Sequence, residues 1–471
     1  MTPPPTLVAA LARAGQEHVL AFWDRLDEPA QRAFVAELEA VDWPLFDEMR
    51  RLAAARGKSA VAHDAVDLAI AATPPCLRLG GTANRIARES AVDRGGLALR
   101  AGVVGAILVA GGQGTRLGCQ GPKGLYRVGP VSGASLFEML LGRLVAVRRR
   151  YGRDVPLAIM TSSATDADTR AFLDEHDCCG LDPAKVFIFR QHDLPAVDAV
   201  TGRLLLDGPG HLALAPDGHG GMLVALAESG GLDWFARHGV EHVASFQVDN
   251  PLALPLAAEF LGYHLLAEAE LSTQVVEKRE PGERVGVVVE AGGRHTIVEY
   301  SDLPAAAAAD RLPDGRLRFH AGSIAVHCFT REFLGRTAAR EDSLPLHLAF
   351  KAVPALDADG VRRVPAAPNA IKFERFIFDL MPLARRVCVV EVDADEGFAP
   401  LKNPPGSAAD APEHVHAALV AHARRVLGRA GVGVGDGVAV ELAPDRIIDE
   451  ADVPAVLPPG TVLDGPTVVG R

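Results

Sequence analysis

Two hydrophobic periods divide the chain. Through residues 5 to about 95, apolar side chains recur at three- and four-residue spacing, as in Gln16–Leu26 and Glu28–Ala40. That spacing predicts amphipathic helices, interrupted at Pro44 and at the Pro74–Pro75 pair. From Leu97 short apolar runs alternate with helical stretches. Strands are predicted over Gly105–Ala110, Val155–Met160, Val186–Phe189 and His242–Val248. Helices are predicted over Leu136–Arg150, Asp166–Glu175 and Met222–Glu228. Strands that alternate with helices pair in parallel and return through crossover helices. Within Leu271–Tyr300, two β-rich runs around Glu290–Arg294 read as a hairpin, and Ala305–Ala309 reads as a loop. After Pro404 come a helix, His414–Leu427, and a Gly/Pro-rich tail with short strands. The expected fold is therefore α/β, with an N-terminal helical region (1–96), a central domain (97–385) and a small β-containing C-terminal domain (386–471).

Composition narrows what such a fold can do. The 471 residues include 47 Gly and 33 Pro, as in a large globular protein with many turns. The longest relevant apolar run, Val103–Ala110, has the length of a strand and cannot cross a membrane. Met1–Ala10 lacks a basic segment before its apolar residues, so no signal peptide is expected. A net charge of −12 argues against an extended nucleic-acid surface but leaves room for a small anion held by local cations. The six cysteines (Cys76, Cys119, Cys178, Cys179, Cys328, Cys388) form neither a CxxC nor a zinc spacing, which suits reduced thiols in the cytoplasm. Only seven of the 48 basic residues are Lys. Where Arg is so favoured, the retained lysines are marked for sites that need a compact ammonium.

The strongest local signal is Leu108–Gly118 (LVAGGQGTRLG), followed by Gly121–Gly124 (GPKG). A buried strand runs into a loop with glycines at 111, 112, 114 and 118. Glycine allows close backbone approach, and its N–H groups can meet phosphate oxygens. Arg116 and Lys123 add positive charge. The dinucleotide fingerprint fails because Leu117 stands at its third glycine position. A Walker A loop fails because Gly124 follows Lys123.

The string LVAGGQGTRLG…PKGLY resembles the UDP-N-acetylhexosamine pyrophosphorylases within the UDP-sugar pyrophosphorylase family. The likeness continues in order through Ala215–Gly221 (APDGHGG), Gln247–Asn250 (QVDN), Val285–Val288, Val298–Ser301, Ala321–Ala325, Ile371–Asp379 and Phe398–Asn403. It implies a Rossmann-like nucleotidyltransferase with a mixed sheet. It also implies condensation of UTP with a hexose-1-phosphate to UDP-sugar and pyrophosphate. On that resemblance the Gly111 and Gly112 backbone holds the nucleotide, and Arg116, Lys123 and Lys402 contact phosphate. Gln191 reads the uracil edge beside Gly218, and Asp249 binds Mg²⁺. Such a reaction brings two polyanions together, so positioning and charge neutralisation suffice without a covalent nucleophile.

The resemblance places the sugar at His219, Gly286, Glu299, Ser323, Phe376 and Phe378. Phe376 and Phe378 could wall an acetyl methyl or serve simply as core. Lys372, on the same stretch, reads equally as an outward-facing residue. His219 and Ser323 depart from the family's N-acetylhexosamine pattern, each standing where Asn is usual. The Gly-His-Gly sequence is closer to UDP-glucose and broad-specificity relatives. N-acetylglucosamine-1-phosphate is the leading sugar, with glucose-1-phosphate or broad specificity as the alternative. From another class stands a UDP-sugar-binding regulatory protein without catalysis. Oligomeric state is not legible in the sequence.

Overall fold

The computed structural model describes residues 2–55, 66–340 and 344–471. The stretch 56–65, inside the expected helical region, lies outside the described residues. Two compact units form, and neither is continuous in sequence: one holds Met1–Val66, His192–Gly221 and Leu344–Ile377, the other the remainder. These units cut across the three consecutive regions expected from sequence order.

The second unit is built on one mixed sheet. Its strands are β1 (Cys76–Arg78), β2 (Val104–Val109), β3 (Leu157–Thr161), β4 (Val186–Arg190) and β5 (His242–Gln247). They continue with β6 (Leu271–Glu277), β7 (Val287–Ala291), β8 (Arg294–Val298), β9 (Ala321–Thr330) and β10 (Val387–Glu391). The order is β1-β10-β6-β9-β5-β2-β3-β4, with the β7–β8 hairpin joined to β9. Neighbours run parallel except at β9, which is antiparallel to both β5 and β6. Residues 104–108 of β2 and all five of β3 are buried, as expected for central parallel strands covered on both faces. The mixed α/β sheet expected above is what forms.

The first unit has its own core, where Leu7, Leu11, Phe34, Leu38 and Phe46 pack with Leu194, Val197, Ile371 and Phe373. Three short strands, His347–Lys351, Ala370–Glu374 and Val197–Asp198, pair within it. In Ala370–Glu374 the residues Ile371 and Phe373 are buried and Lys372 alternates with them. Lys372 is thus a partly exposed residue of that strand. Within the second unit, the helix Pro412–Arg429 and the tail share a small separate core around Val426, Leu427, Val440 and Val469.

Three local expectations need correction. Gln16–Leu26 is not one helix but two 3₁₀ turns, Glu17–Leu20 and Trp23–Arg25. The short apolar spacing there meets the core in single turns. Ala305–Ala309 is a five-residue helix, not a loop: alanine has the highest helix propensity, and Pro304 sets its start. The N-terminal stretch is not helical throughout, because Cys76–Arg78 joins the main sheet as an edge strand on β10.

Candidate active site

The sheet's topology gathers most of the marked residues. Strands β2 and β5 are parallel neighbours in register from Val104–His242 to Val109–Gln247. Their chains therefore leave the same edge side by side, and the Val248 N–H donates to the Val109 carbonyl (3.0 Å). The glycine loop follows β2, and Asp249 follows β5. Loops beyond the carboxyl ends of parallel strands are where open α/β sheets bind ligands.

The loop is held by its own backbone. Gly114 N–H donates to the Gly121 carbonyl (2.9 Å), and Lys123 N–H to the Gly112 carbonyl (3.0 Å). That fold-back brings the Lys123 ammonium 3.7 Å from the Asp249 carboxylate, with both side chains still partly open to solvent (18% and 14%). Gly112 and Arg116 are exposed. Among the described residues Arg116 has no ion-pair partner, so its charge is available to a ligand.

Gln191 directly follows β4 and is buried (5%), and its N–H donates to the Thr161 carbonyl (3.0 Å). Its carboxamide lies against Gly111, where a Cβ would come within 3.2 Å of Oε1. A side chain at 111 would press on this carboxamide, and the Gly111 carbonyl accepts from Ser162 Oγ (2.9 Å).

Lys402 reaches this edge through a second connection. Leu401 N–H donates to the Asp249 carbonyl (2.8 Å). The buried Asn250 amide donates to the Gly397 carbonyl (2.9 Å), and its Oδ1 accepts from Ala399 N–H (3.0 Å) and Leu252 N–H (3.2 Å). The segment carrying Lys402 is thus fastened to the residue beside Asp249. The Lys402 ammonium stands 5.9 Å over the Phe398 ring. The sequence reading missed Asn250, whose partners lie 147 and 149 positions away.

Three of the expected sugar residues also meet. Ser323 N–H donates to the Gly286 carbonyl (2.8 Å). A Cβ on Gly286 would fall 2.9 Å from the Glu299 carboxylate, so that carboxylate lies over the glycine. Opposite Ser323 the β6–β9 register shifts between Gln274 and Val275, and Ala325 takes φ 54°. A bulge of this kind re-aims side chains next to functional sites. Phe378 belongs to the same unit and is buried (7%).

Gly218, His219 and Phe376 belong to the first unit. His219 stacks on Phe376 (5.3 Å between ring centroids), and His347 packs on the same ring (4.4 Å). His219 Nδ1 accepts from Ile377 N–H (3.2 Å), which places the ring proton on Nε2. Gly218 has φ +86°, and a Cβ there would lie 2.5 Å from the Arg375 carbonyl oxygen. Beneath this loop Asp217 is fully buried, 3.4 Å from the Arg375 guanidinium, with its Oδ1 lacking a hydrogen-bond partner.

Burial pushes the Asp217 carboxyl up to about 6, against the pull of Arg375. A native pKa above the unfolded value contributes stability below the unfolded pKa that is lost as pH rises through the native one. From pH 4 to pH 7 this group therefore costs the native state about 2 kcal/mol. Asp217→Asn removes that loss. Thermal midpoints at pH 4.5 and 7.5 should differ less in the variant than in the unchanged protein, and parallel profiles would refute the assignment.

Residues 95–404 match the family described as UTP--glucose-1-phosphate uridylyltransferase. The chain belongs to this nucleotidyltransferase family. It is 38% identical over 435 residues to the human UDP-N-acetylhexosamine pyrophosphorylase-like protein 1, covering 90% of this chain and 85% of that protein. It is 34% identical over 445 residues to the UDP-N-acetylglucosamine pyrophosphorylase of Saccharomyces cerevisiae, covering 91% and 92%. A crystal structure of the Trypanosoma brucei UDP-N-acetylglucosamine pyrophosphorylase superposes with a TM-score of 0.81 at 26% identity, covering 97% of this chain and 95% of that one. No helix among the described residues of this family member is long and apolar enough to cross a membrane.

Proposed function

We propose that the chain is a cytoplasmic uridylyltransferase that condenses UTP with N-acetylglucosamine-1-phosphate, releasing pyrophosphate. The observation that carries this reading is the Lys123–Asp249 pair at the shared mouth of β2 and β5, with the glycine loop on one side and, on the other, the segment carrying Lys402, tied to Asp249 through Leu401. The reaction needs a sugar phosphate oxygen to attack the α-phosphorus of UTP while pyrophosphate leaves. Loop N–H groups at Gly111 and Gly112 cradle the triphosphate, and Arg116, Lys123 and Lys402 offset its charge. Gln191, beside Gly111, presents its amide to the uracil edge.

Asp249 suits Mg²⁺. The ion typically takes one or two carboxylates plus substrate phosphates, not an all-protein cage. Among the described residues no group of three acidic, His or Cys side chains could form such a cage, and Asp249 is open to solvent beside the phosphate loop. Asp249 would hold the ion, which would supply neutralisation of charge on the phosphates. Lys123 then keeps its ammonium within reach of the same oxygens.

For the sugar, Glu299 over Gly286 offers a carboxylate to hydroxyl groups, with Ser323 beside it. Phe378, in the same unit, supplies an apolar wall. His219, with its proton on Nε2, presents a donor where an amide would offer both a donor and an acceptor. The choice of sugar is tested by kcat/KM for N-acetylglucosamine-, N-acetylgalactosamine- and glucose-1-phosphate. N-acetylglucosamine-1-phosphate should lead, and His219→Asn should raise its advantage over glucose-1-phosphate by about tenfold, the scale of one polar contact. A lead for glucose-1-phosphate in the unchanged chain would overturn the N-acetylhexosamine reading and leave the uridylyltransferase reading intact.

A further inference from the structure

Within the second unit a cavity of about 300 Å³ opens among the helices Leu136–Tyr151 and Pro412–Arg429 and the loop after Asn250. Its walls are mainly aliphatic, with Leu144, Leu256, Leu419, Val426 and Ile447 among them. The charged groups on these walls are already engaged, with one exception. Arg88 pairs with Glu259, Arg150 with Asp449, and Glu396 with His422, Arg425 and Arg429. Glu441 accepts from the Val131 and Ser132 N–H groups and from Ser132 Oγ.

The exception is Arg143. Its guanidinium lines the cavity, and its one hydrogen bond runs to the Ala253 carbonyl (2.8 Å). Among the described residues no carboxylate pairs with it. Its side chain is partly buried, and desolvation lowers its pKa to about 10. Buried guanidinium groups ordinarily sit against carboxylates, which match their fork of donors. A cavity of this size, largely apolar with its other charged groups paired and one guanidinium left without a carboxylate, has the make-up of a small-molecule site.

We propose that this cavity binds a small monocarboxylate with an apolar body, its carboxylate paired to Arg143 and its hydrocarbon against the aliphatic walls. The position is distinct from the nucleotide edge but not isolated from it. Ala253, which Arg143 holds, lies four residues past Asp249, and Glu396, also on the cavity wall, precedes the segment that carries Lys402. An occupant therefore touches both connections that place the phosphate-handling groups.

The probe is octanoate, measured by calorimetry on the full chain without substrates, so the outcome does not depend on the transferase activity. Octanoate should bind with a Kd below about 1 mM and at least about tenfold more tightly than 1-octanol, the margin a desolvated charge pair supplies. Arg143→Gln should lose that margin while leaving 1-octanol binding unchanged. Equal affinity for octanoate and 1-octanol in the unchanged protein would overturn the proposal, and that comparison stands even where Arg143→Gln fails to fold. Undiminished octanoate binding in a folded Arg143→Gln variant would overturn it equally.

Discussion

Asp249→Ala is expected to lower kcat/KM by about 10³-fold, the upper range for removing one preorganised charged group from a transition state. The carboxylate stands where β5 ends, beside the phosphate loop, and it is the acidic side chain that Lys123 approaches. Removing it takes away the proposed hold on Mg²⁺ and leaves Lys123 without its anchor. Lys123→Ala should cost about 10²-fold by the loss of one cation from the same phosphates. Neither change should unfold the chain. A partly exposed pair at 3.7 Å contributes at most about 1 kcal/mol to stability. Pyrophosphate release measured alongside the thermal midpoint separates the two effects. Full activity in both variants would end these assignments.

Asn250→Ala is expected to lower kcat by about 10²-fold with a smaller change in KM for UTP, because a displacement of about 1 Å at a reacting centre costs that much. Asn250 does not face the substrate; it is a positioning residue. Its amide joins the Asp249 strand end to Gly397 and Ala399, five and three residues before Lys402. Alanine leaves two N–H groups and one carbonyl without their partner, a loss of about 3 kcal/mol in stability. Asn250→Asp, isosteric and still able to accept from Leu252 and Ala399, should recover part of kcat. A stability loss with kcat unchanged would show that Asn250 serves only the fold.

The fold was legible where burial is uniform and elements are long. Residues 104–108 of β2 and the whole of β3 read as strands because both faces are covered, leaving unbroken apolar runs. The helix expected over Leu136–Arg150 forms as Leu136–Tyr151, where Ser135 and Glu138 exchange bonds in a capping box at its start. Cys76–Arg78 was not legible, since three residues carry no measurable period. Ser323 was singled out by resemblance, but the bulge that aims it depends on the register of β6 against β9.

The site divides in the same way. Glycine spacing, Arg116 and Lys123 were visible because the proposed phosphate site is written into one short loop. Asp249 and Lys402 gained meaning only through resemblance, since each alone could be a solvated turn residue. Asn250 and the Asp217–Arg375 pair went unseen, because their partners are 147 to 158 residues distant and no local pattern records them.

The central claim is that one sheet edge assembles a phosphate-handling centre able to transfer uridylyl. The most direct measurement is pyrophosphate formation from UTP and N-acetylglucosamine-1-phosphate by the unaltered chain, with Mg²⁺ and with chelator. The account predicts one pyrophosphate per UDP-sugar formed and loss of turnover on chelation. Tight UDP-N-acetylglucosamine binding with no pyrophosphate released in either direction would contradict it and mark the chain as a sugar-nucleotide-binding protein without catalysis.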